Sequence, residues 1–262
     1  MEFRGQTALI TGASTGIGAV FAHEMAARGA HLILVARGEE KLRALAAEIT
    51  AAHGVRVDVL PADLARSGAG ADLAGRVAAL GRTVDLLINN AGFATHGDVE
   101  EADPVRLLEQ VQLNCAAVVE LTARFLPAMT ARGAGAIINV ASTAAFQPVA
   151  HMAVYSASKA FVLSFTEALW GEVKATGVKV LAVSPGATET PFFDVAGEDA
   201  SFGKRRTPEQ VVATALRGLA QGRPSVVDGC ANALAANLQR FLPHRAVLGI
   251  AERSVRPRGS AA

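Results

Sequence analysis

The sequence predicts an α/β protein with one doubly wound parallel β-sheet and helices on both faces. Short apolar runs alternate along the chain with longer segments of helical periodicity. Most of these runs are apolar at every position, which is typical of parallel strands covered on both faces. A glycine-rich turn at 11–18 joins the first run to the first helical segment, where open α/β sheets bind their ligands.

The first half of the chain supplies three strand–helix pairs and a fourth strand. Predicted strands cover 7–10, 31–35, 55–60 and 84–88, and predicted helices cover 17–28, 42–49 and 73–80. Gly29 and Gly54 mark the ends of the first two helices, because glycine readily adopts the left-handed conformation that closes a helix. Pro61 ends the third strand.

The second half continues the alternation. Asp103 is expected to cap a helix that begins at Pro104 and ends near Arg132, before Gly133. Predicted strands follow at 136–140, 178–183 and 225–227, with helices at 156–176 and after Pro208.

No linker or repeat interrupts the series, so we predict one catalytic domain over 1–262. It carries two additions to the basic alternation. The irregular segment 187–206 is long enough to be a loop that closes over a substrate. A helical extension is expected at 230–262.

Composition narrows the classes of partner. The chain has 262 residues, a formal net charge of +1 and 51% hydrophobic residues, so it lacks the extended basic surface that nucleic-acid binding needs. No run approaches the roughly 18 apolar residues of an integral membrane segment, and the start lacks a signal peptide. Cys115 and Cys230 have no metal-ligand spacing and are expected to be buried thiols. We expect a cytoplasmic protein, without a metal, that acts on a small molecule.

The turn at 11–18 has the composition of a phosphate cradle. Its candidate residues are Gly12, Ser14, Thr15, Gly16, Ile17 and Gly18. Glycines allow the backbone to approach a phosphate, and the following helix offers unpaired N–H groups and its positive dipole end. The spacing departs from the usual Gly-x-Gly-x-x-Gly fingerprint, so an ordinary glycine-rich turn stays an alternative.

Arg37 indicates which dinucleotide would bind. In dinucleotide-binding sheets a carboxylate after the second strand binds the ribose hydroxyls, whereas an arginine accommodates a 2′-phosphate. Here Arg37 follows the strand and no acid does. We predict NADP(H) as the preferred cofactor, with NAD(H) possible; the alternative is a solvated surface arginine.

Tyr155 is the only tyrosine in the chain, and Lys159 follows it by four residues. On a helix the two side chains share one face, and a neighbouring ammonium would lower the pKa of the phenol. Such a pair could also be an ordinary helix-surface pair. Ser142 favours a site, because it follows a predicted strand at the rim where these sheets bind ligands, as do residues 89–92.

Taken in order, the motifs resemble those of the short-chain dehydrogenase/reductase family. They are Thr-Gly-x-x-x-Gly-x-Gly at 11–18, Asn-Asn-Ala-Gly at 89–92, Ser142, Tyr-x-x-x-Lys at 155–159 and Pro-Gly at 185–186. The likeness extends over about residues 5–230. It implies a Rossmann fold and the interconversion of a carbonyl and an alcohol by hydride transfer.

The resemblance also implies roles. Tyr155 would be the general acid or base, Lys159 would lower its pKa and bind the nicotinamide ribose, and Ser142 would orient the substrate oxygen. Asn114 would hold a water that links Lys159 to solvent. Further cofactor contacts would come from Asp63, Leu64, Asn90, Ala91, Gly92, Pro185, Gly186, Thr188 and Thr190. Two residues depart from the family's pattern: Thr188 replaces an aliphatic residue, so its backbone is expected to bind, and Thr15 replaces a basic one.

The substrate side is expected to be apolar. Phe93, Phe192 and Phe193 are the substrate-binding candidates, and no anchor for a phosphate or carboxylate is evident. A hydrophobic ketone, aldehyde or secondary alcohol is therefore the predicted substrate. His96 and His151 are interpreted as loop residues rather than catalysts.

The resemblance further implies a homodimer or homotetramer that buries the helices starting at 104 and 156. The extension at 230–262 would cap the pocket, alter a tetramer interface or lie on a membrane; its mixed composition favours the first two. An alternative function is a cofactor-sensing regulator without turnover. An epimerase usually has a longer chain, and a methyltransferase would not need Tyr-x-x-x-Lys.

Overall fold

Seven parallel strands form one sheet in the computed structural model, which describes residues 3–197, 200 and 204–256. The strands are Thr7–Thr11 (β1), His31–Val35 (β2), Val57–Val59 (β3), Leu86–Asn89 (β4), Gly135–Val140 (β5), Val178–Ser184 (β6) and Ser225–Val227 (β7). Their order across the sheet is β3-β2-β1-β4-β5-β6-β7. The predicted doubly wound parallel sheet is confirmed.

Helices cover both faces of the sheet. They are Gly16–Ala27 (α1), Glu39–His53 (α2), Ala69–Ala79 (α3), Pro104–Val111 (α4), Ala117–Arg132 (α5), Ala153–Val173 (α6), Phe192–Ala196 (α7), Pro208–Ala220 (α8), Cys230–Leu238 (α9) and His244–Val255 (α10). The apolar strands therefore lie between two cores. One contains Phe21 of α1 and Val211 of α8, and the other contains Leu73 of α3 and Leu121 of α5.

The winding direction reverses at β1, which pairs with β2 on one side and with β4 on the other. All strands are parallel, so the carboxyl ends of β1, β4, β5 and β6 lie along one edge of the sheet. A crevice outside these ends, at the point of reversal, is where doubly wound sheets bind ligands. We call this edge the catalytic rim.

Several boundaries differ from the sequence prediction. Strand β3 is shorter than predicted because it lies at the sheet edge and pairs only with β2. The helix expected at 104–132 is interrupted by a π-helical turn at Gln112–Ala116, where the Ala117 N–H bonds to the Gln112 carbonyl. Helix α6 begins three residues earlier than predicted, which brings Tyr155 into its first turn.

The structure describes part of the two predicted additions to the sheet, the segment 187–206 and the C-terminal extension 230–262. The segment 187–206 contains helix α7 and a β-bridge between Thr188 and Arg206, so it is less irregular than expected. Residues 198, 199 and 201–203 of this segment, and 257–262 of the C-terminal extension, lie outside the described residues. The described part of the extension contains helices α9 and α10.

The Asp103 cap is confirmed, because its carboxylate accepts a hydrogen bond from the Val105 N–H at 3.0 Å. The expectation of two buried thiols is wrong. Cys230 is exposed because it begins the surface helix α9, and Cys115 is partly exposed in the π-helical turn. Within the described residues, no helix is long and apolar enough to cross a membrane.

Candidate active site

The turn after β1 folds so closely that its glycines have no room for a side chain. Gly12 has a φ of 63°, and a Cβ on it would lie 2.8 Å from the Asn90 Nδ2. A Cβ on Gly18 would lie 2.2 Å from the Gly12 carbonyl oxygen, and one on Gly16 would lie 2.9 Å from the Thr190 Cγ2. The glycines therefore leave bare backbone facing the catalytic rim, as close approach to a phosphate requires.

Helix α1 begins in this turn without a side-chain cap. Thr15 occupies the N-cap position, but its side chain caps no N–H within the described chain. By contrast, Asp103 caps α4 and Thr207 forms a capping box with Gln210 on α8. The first N–H groups of α1 thus stay available to an anion, together with the positive end of the helix dipole. Ser14 is half-buried beside them and Ile17 packs on the core.

The segment after β4 is tied directly to this turn. Asn90 donates side-chain hydrogen bonds to the carbonyl oxygens of Thr11 and Gly12, at 3.0 and 3.1 Å. The Thr11 hydroxyl accepts hydrogen bonds from the backbone N–H groups of Asn90 and Ala91, both at 3.0 Å. These bonds hold the ends of β1 and β4 in register, so the Asn-Asn-Ala-Gly segment lies beside the cradle.

Arg37 and Asp63 lie on the outer part of the rim. Arg37 follows β2, is exposed, and has no hydrogen bond or ion pair with any other described residue. The Asp63 carboxylate accepts a hydrogen bond from the Ala65 N–H at 3.1 Å, and the adjacent Leu64 is buried. The guanidinium of Arg37 is thus free to pair with an anion, and Asp63 also serves as a turn residue.

Asn114 lies inside the π-helical turn and is almost fully buried. Its side chain donates to the Phe93 carbonyl and to the Ser158 hydroxyl, both at 3.0 Å, and accepts from the Phe93 N–H at 3.2 Å. A Cβ on Gly92 would lie 3.0 Å from the Asn114 Oδ1 and 3.5 Å from the Lys159 Nζ. The small Gly92 therefore lets Asn114 and Lys159 border the same space. Single-turn π-helical insertions of this kind are frequent at functional sites.

Tyr155 and Lys159 share one face of α6, as the sequence predicts, and both are buried, with 8% and 6% of their surface exposed. The Lys159 ammonium donates a hydrogen bond to the Val140 carbonyl at 2.8 Å, at the end of β5. It lies 5.8 Å from the centroid of the Tyr155 ring. Ser142 follows the same strand, where its hydroxyl accepts a hydrogen bond from the Ala144 N–H at 3.1 Å.

The pKa of Tyr155 is shifted in the direction opposite to the one expected from Lys159. Burial raises the pKa of Tyr155 to about 12, and a hydrogen bond with Ser142 opposes that rise. Burial also lowers the pKa of Lys159 to about 8. Both shifts have the same physical cause, because an apolar environment disfavours the charged form of each group.

The stretch after β6 is fastened at two points. The Pro185 carbonyl accepts a hydrogen bond from the Thr143 N–H at 2.8 Å, which joins the ends of β5 and β6. The Thr188 hydroxyl donates to the Gly186 carbonyl at 3.0 Å, so its side chain is used within the loop. On either side of Thr188, the Ala187 carbonyl accepts from the Arg206 N–H and the Glu189 N–H donates to the Arg206 carbonyl, both at 2.9 Å.

Arg206 then anchors the far end of this loop. Its guanidinium pairs with the buried carboxylate of Asp228, with an Nε–Oδ2 distance of 2.5 Å. The Thr214 hydroxyl donates a further hydrogen bond to Asp228 at 2.7 Å. A buried charge that is paired and hydrogen-bonded in this way fixes the position of the loop base.

The apolar residues on the substrate side meet Tyr155 only in part. The centroid of the Phe192 ring lies 5.6 Å from the centroid of the Tyr155 ring. Phe193 packs edge-on against Phe192, with 5.4 Å between the ring centroids. Phe93 instead packs under the Arg106 guanidinium, 3.7 Å from the ring centroid, on the side of α4. The structure therefore brings Phe192 to Tyr155, with Phe193 behind it, whereas Phe93 points elsewhere.

Tyr155 belongs to a buried apolar cluster with four other residues: Ala94, Val149, Met152 and Val255. Met152 and Val149 lie in the short stretch before Tyr155, so their sequence position already indicates proximity. The position of Val255 follows from tertiary packing alone, because it comes from α10, 100 residues further along the chain. Among the described residues, no three His, Cys, Asp or Glu side chains group as a metal ion would require.

Comparisons with known proteins agree with this geometry. A family model described as short chain dehydrogenase matches residues 6–201. The Very-long-chain 3-oxoacyl-CoA reductase of Anas platyrhynchos is 35% identical over 233 residues, which are 86% of this chain and 72% of that protein.

Two solved structures are similar over almost the whole chain. A short-chain dehydrogenase from Sphingobium yanoikuyae, in complex with NADPH, is 35% identical with a TM-score of 0.83, and the match covers 98% of each chain. The bulky-bulky ketone specific alcohol dehydrogenase from Comamonas testosteroni is 29% identical with a TM-score of 0.77, covering 98% of this chain and 97% of that one.

Proposed function

Because the chain belongs to the short chain dehydrogenase family and is an NAD(P)-dependent oxidoreductase, we propose that it reduces an apolar ketone or aldehyde with NADPH and uses Tyr155 as the general acid. The observation that carries this proposal is the burial of Tyr155 beside Ser142, with Lys159 one helical turn away, at the rim that also holds the glycine cradle. The reverse oxidation would use the same residues.

NADPH, when bound, supplies the hydride that adds to the carbonyl carbon. The chain's own part is to place the carbonyl oxygen near the Ser142 and Tyr155 hydroxyls, and to donate the Tyr155 proton to that oxygen. The raised pKa of Tyr155 favours the protonated phenol, which is the form that reduction needs. The ammonium of Lys159 and the side chain of Asn114 border the space through which the proton is replaced.

The residues present fit a dinucleotide. The cradle formed by Gly12, Gly16 and Gly18 would be filled by any Cβ, and the uncapped start of α1 faces it. Pro185, Gly186, Thr188 and Thr190 would contact the carboxamide, while Asp63 and Leu64 would contact adenine. Arg37 is exposed and free to form a fork with a 2′-phosphate, which supports NADP(H) over NAD(H).

The apolar cluster around Tyr155 supports a hydrophobic substrate. Phe192 and Met152 contribute apolar surface on this side, and buried carbonyl-flanking groups gain from such contacts. The similar proteins named above act on a very-long-chain 3-oxoacyl-CoA and on bulky-bulky ketones, according to their names. We therefore propose that the substrate is a ketone with apolar groups on both sides of the carbonyl.

We also infer one catalytic unit that assembles as a homodimer or homotetramer in the cytoplasm. A single sheet carries the site residues, and α4 and α6 expose apolar side chains: Val105, Leu108, Val111 and Phe161. Leu108 is 70% exposed, so Leu108→Asp should shift the mass measured by light scattering towards the monomer. A cytoplasmic location is supported by the free thiols of Cys115 and Cys230.

A nicotinamide absorbance assay tests the function. The protein is mixed with NADPH and ketones or aldehydes of increasing apolar size, and separately with NADP⁺ and the matching alcohols. We expect NADPH loss with an equal amount of alcohol formed, most efficiently with apolar ketones. NADPH binding without turnover across the whole panel would instead favour the cofactor-sensing regulator, and failure to bind NADPH would contradict both functions.

A further inference from the structure

We propose that helix α10 is a wall of the substrate pocket, fastened there by His96 and His151, and that Val255 limits the size of the substrate. This inference rests on the proposed carbonyl reduction at Tyr155. It assigns a specificity role to the C-terminal extension, for which the sequence left three possibilities open.

The inner face of α10 is buried although the helix lies near the end of the described chain. Val247, Ala251 and Val255 recur at every fourth position and are 9%, 3% and 5% exposed. The other side of the helix is exposed, including Arg245 and Arg253. Such a stripe shows that α10 is docked along one face against the rest of the protein.

Val255, at the end of this stripe, lies in the same buried cluster as Tyr155. The cluster also contains Ala94, Val149 and Met152, with Phe192 packed against it. In this proposal, a carbonyl bound at the Tyr155 hydroxyl places one of its flanking groups against this cluster, where Val255 limits the size of that group.

His96 fastens the carboxyl end of α10. Its Nε2 lies 2.6 Å from the Val255 carbonyl oxygen, and since a carbonyl only accepts, the Nε2 carries the hydrogen. The last carbonyl groups of a helix have no partner inside the helix, so this bond satisfies one of them. His96 follows the Asn-Asn-Ala-Gly segment, and it thereby links the catalytic rim to the C-terminal helix.

His151 is the second histidine that faces α10. Its Nδ1 lies 2.7 Å from the Asp98 Oδ1. Its buried Nε2 has no hydrogen-bond partner among the described residues and lies 3.8 Å from the Glu252 Oε1 on α10, at the distance of a charge pair. The backbone of His151 has a φ of 59°, the only positive φ at a residue other than glycine in the described chain. A histidine with a positive φ is held in that conformation by its surroundings. The His96 and His151 rings lie 6.4 Å apart, and we call the two histidines together the clasp.

Substitutions at Val255 test the wall. The kcat/KM is measured for ketones whose smaller flanking group grows from methyl to phenyl, with the NADPH Kd measured beside it. We expect Val255→Ala to raise kcat/KM for the bulkier ketones about tenfold and Val255→Phe to lower it by a similar factor. The NADPH Kd should stay within about twofold, because Val255 is assigned here to the substrate and not to the cofactor.

Leu248→Ala is the matched control, since Leu248 is an exposed apolar residue of the same helix. It should leave the size profile unchanged. An identical size profile for the wild type and both Val255 variants would overturn the role of Val255. A change in the profile produced equally by Leu248→Ala would do the same, because it would reflect general loosening of the helix.

The clasp is tested by His96→Phe, with His96→Gln as the conservative variant that keeps a donor. Hydrogen exchange of the amides in 244–256 should be at least about tenfold faster in His96→Phe and near wild type in His96→Gln. The KM for ketone should rise in the first and recover in the second, while NADPH binding persists in both. Equal exchange rates in all three proteins would overturn the clasp.

A second route to the same test is His151→Asn, which tolerates the left-handed backbone but cannot bridge Asp98 and Glu252. It should also speed exchange in 244–256. The exchange measurement needs no substrate, so the clasp can be upheld or overturned even if no carbonyl is reduced. Absence of turnover by the wild type would count against the proposed function, and unaltered exchange against this inference.

Discussion

The catalytic rim and the substrate side of the site are built in different ways. On the rim, Asn114, Ser142 and Lys159 are buried, and each bonds to backbone from another segment or to its own turn. On the substrate side, Phe192 is half-buried and Val255 is held through packing and one carbonyl bond. Polar groups that are fully satisfied define one geometry, whereas apolar contacts tolerate replacement if volume is kept.

This difference indicates which region of the site tolerates substitutions. The chemistry depends on distances of a few ångströms among buried polar groups, so the rim should respond sharply to small changes. Substrate choice depends on the shape left by apolar side chains, so the substrate side should respond gradually. Each of the four predictions below measures how strongly one of the two regions responds to a substitution. Responses of equal size at the rim and on the substrate side would contradict this comparison.

Of these four predictions, the largest expected effect is a pH-dependent change in stability at Lys159. Its pKa falls from an ordinary value of 10.5 to about 8 on folding. Between these values the unfolded chain binds more protons than the folded one, so the free energy of unfolding rises with pH. The gain is complete above 10.5, is lost as the pH falls through 8, and amounts to roughly 3 kcal/mol.

Urea unfolding of the wild type and Lys159→Met across this window measures that contribution. The wild type should gain stability relative to the variant as the pH rises. Lys174→Met, an exposed lysine near the end of the same helix, is the control and should change with pH as the wild type does. If the free energy of unfolding changed equally with pH in all three proteins, burial of the Lys159 ammonium would not lower the stability of the folded state.

Next in size is Gly18→Ala on the cradle. The added Cβ would lie 2.2 Å from the Gly12 carbonyl oxygen, so the turn must shift. We expect NADPH affinity, measured by fluorescence titration, to fall about 100-fold. Gly75→Ala in helix α3 meets nothing within 4 Å and should leave the affinity unchanged. Equal affinity in the two variants would contradict the close packing of the cradle.

A smaller effect is expected at Arg37. Removing its guanidinium by Arg37→Ala should raise the KM for NADPH about 30-fold, in the range of one or two charge-assisted hydrogen bonds, and leave the KM for NADH unchanged. Lys41→Ala changes an exposed cation nearby on α2 and should affect neither. Wild-type turnover that is as efficient with NADH as with NADPH would contradict the cofactor preference.

The smallest effect belongs to the substrate side. Replacing Phe192 and Phe193 together by alanine should raise the KM for an apolar ketone about fivefold and change the KM for NADPH less. Phe241→Ala removes an aromatic ring that is 84% exposed on the far extension and should change neither. A larger rise in the cofactor KM than in the substrate KM would assign the loop to the cofactor.

The sequence predicts most of the fold because local signals agree. Apolar runs, the glycine turn and the Asp103-Pro104 start place the strands and helices in order, and a parallel sheet then brings their carboxyl ends together. The π-helical turn around Asn114 is not predictable in this way, because residues 112–116 have no local pattern that distinguishes it from α-helix.

The site is predicted less completely. Tyr155 and Lys159 follow from their spacing on α6, but the direction of the Tyr155 pKa shift depends on burial, which the hydrogen bond with Ser142 opposes. Helical periodicity indicates that Val255 is buried, although it does not indicate against what. Phe93 was expected on the substrate side because it follows the Asn-Asn-Ala-Gly segment. In the structure its ring instead lies against the Arg106 guanidinium.

The most direct test of the account compares Tyr155→Phe with the wild type in single-turnover reduction of an apolar ketone. The change removes one hydroxyl and keeps the ring packed against Phe192. We predict at least about a thousandfold loss in the rate of NADPH oxidation, with the NADPH Kd within twofold of wild type. A Tyr155→Phe protein that oxidises NADPH at a rate near that of the wild type would contradict the assignment of Tyr155 as the proton donor.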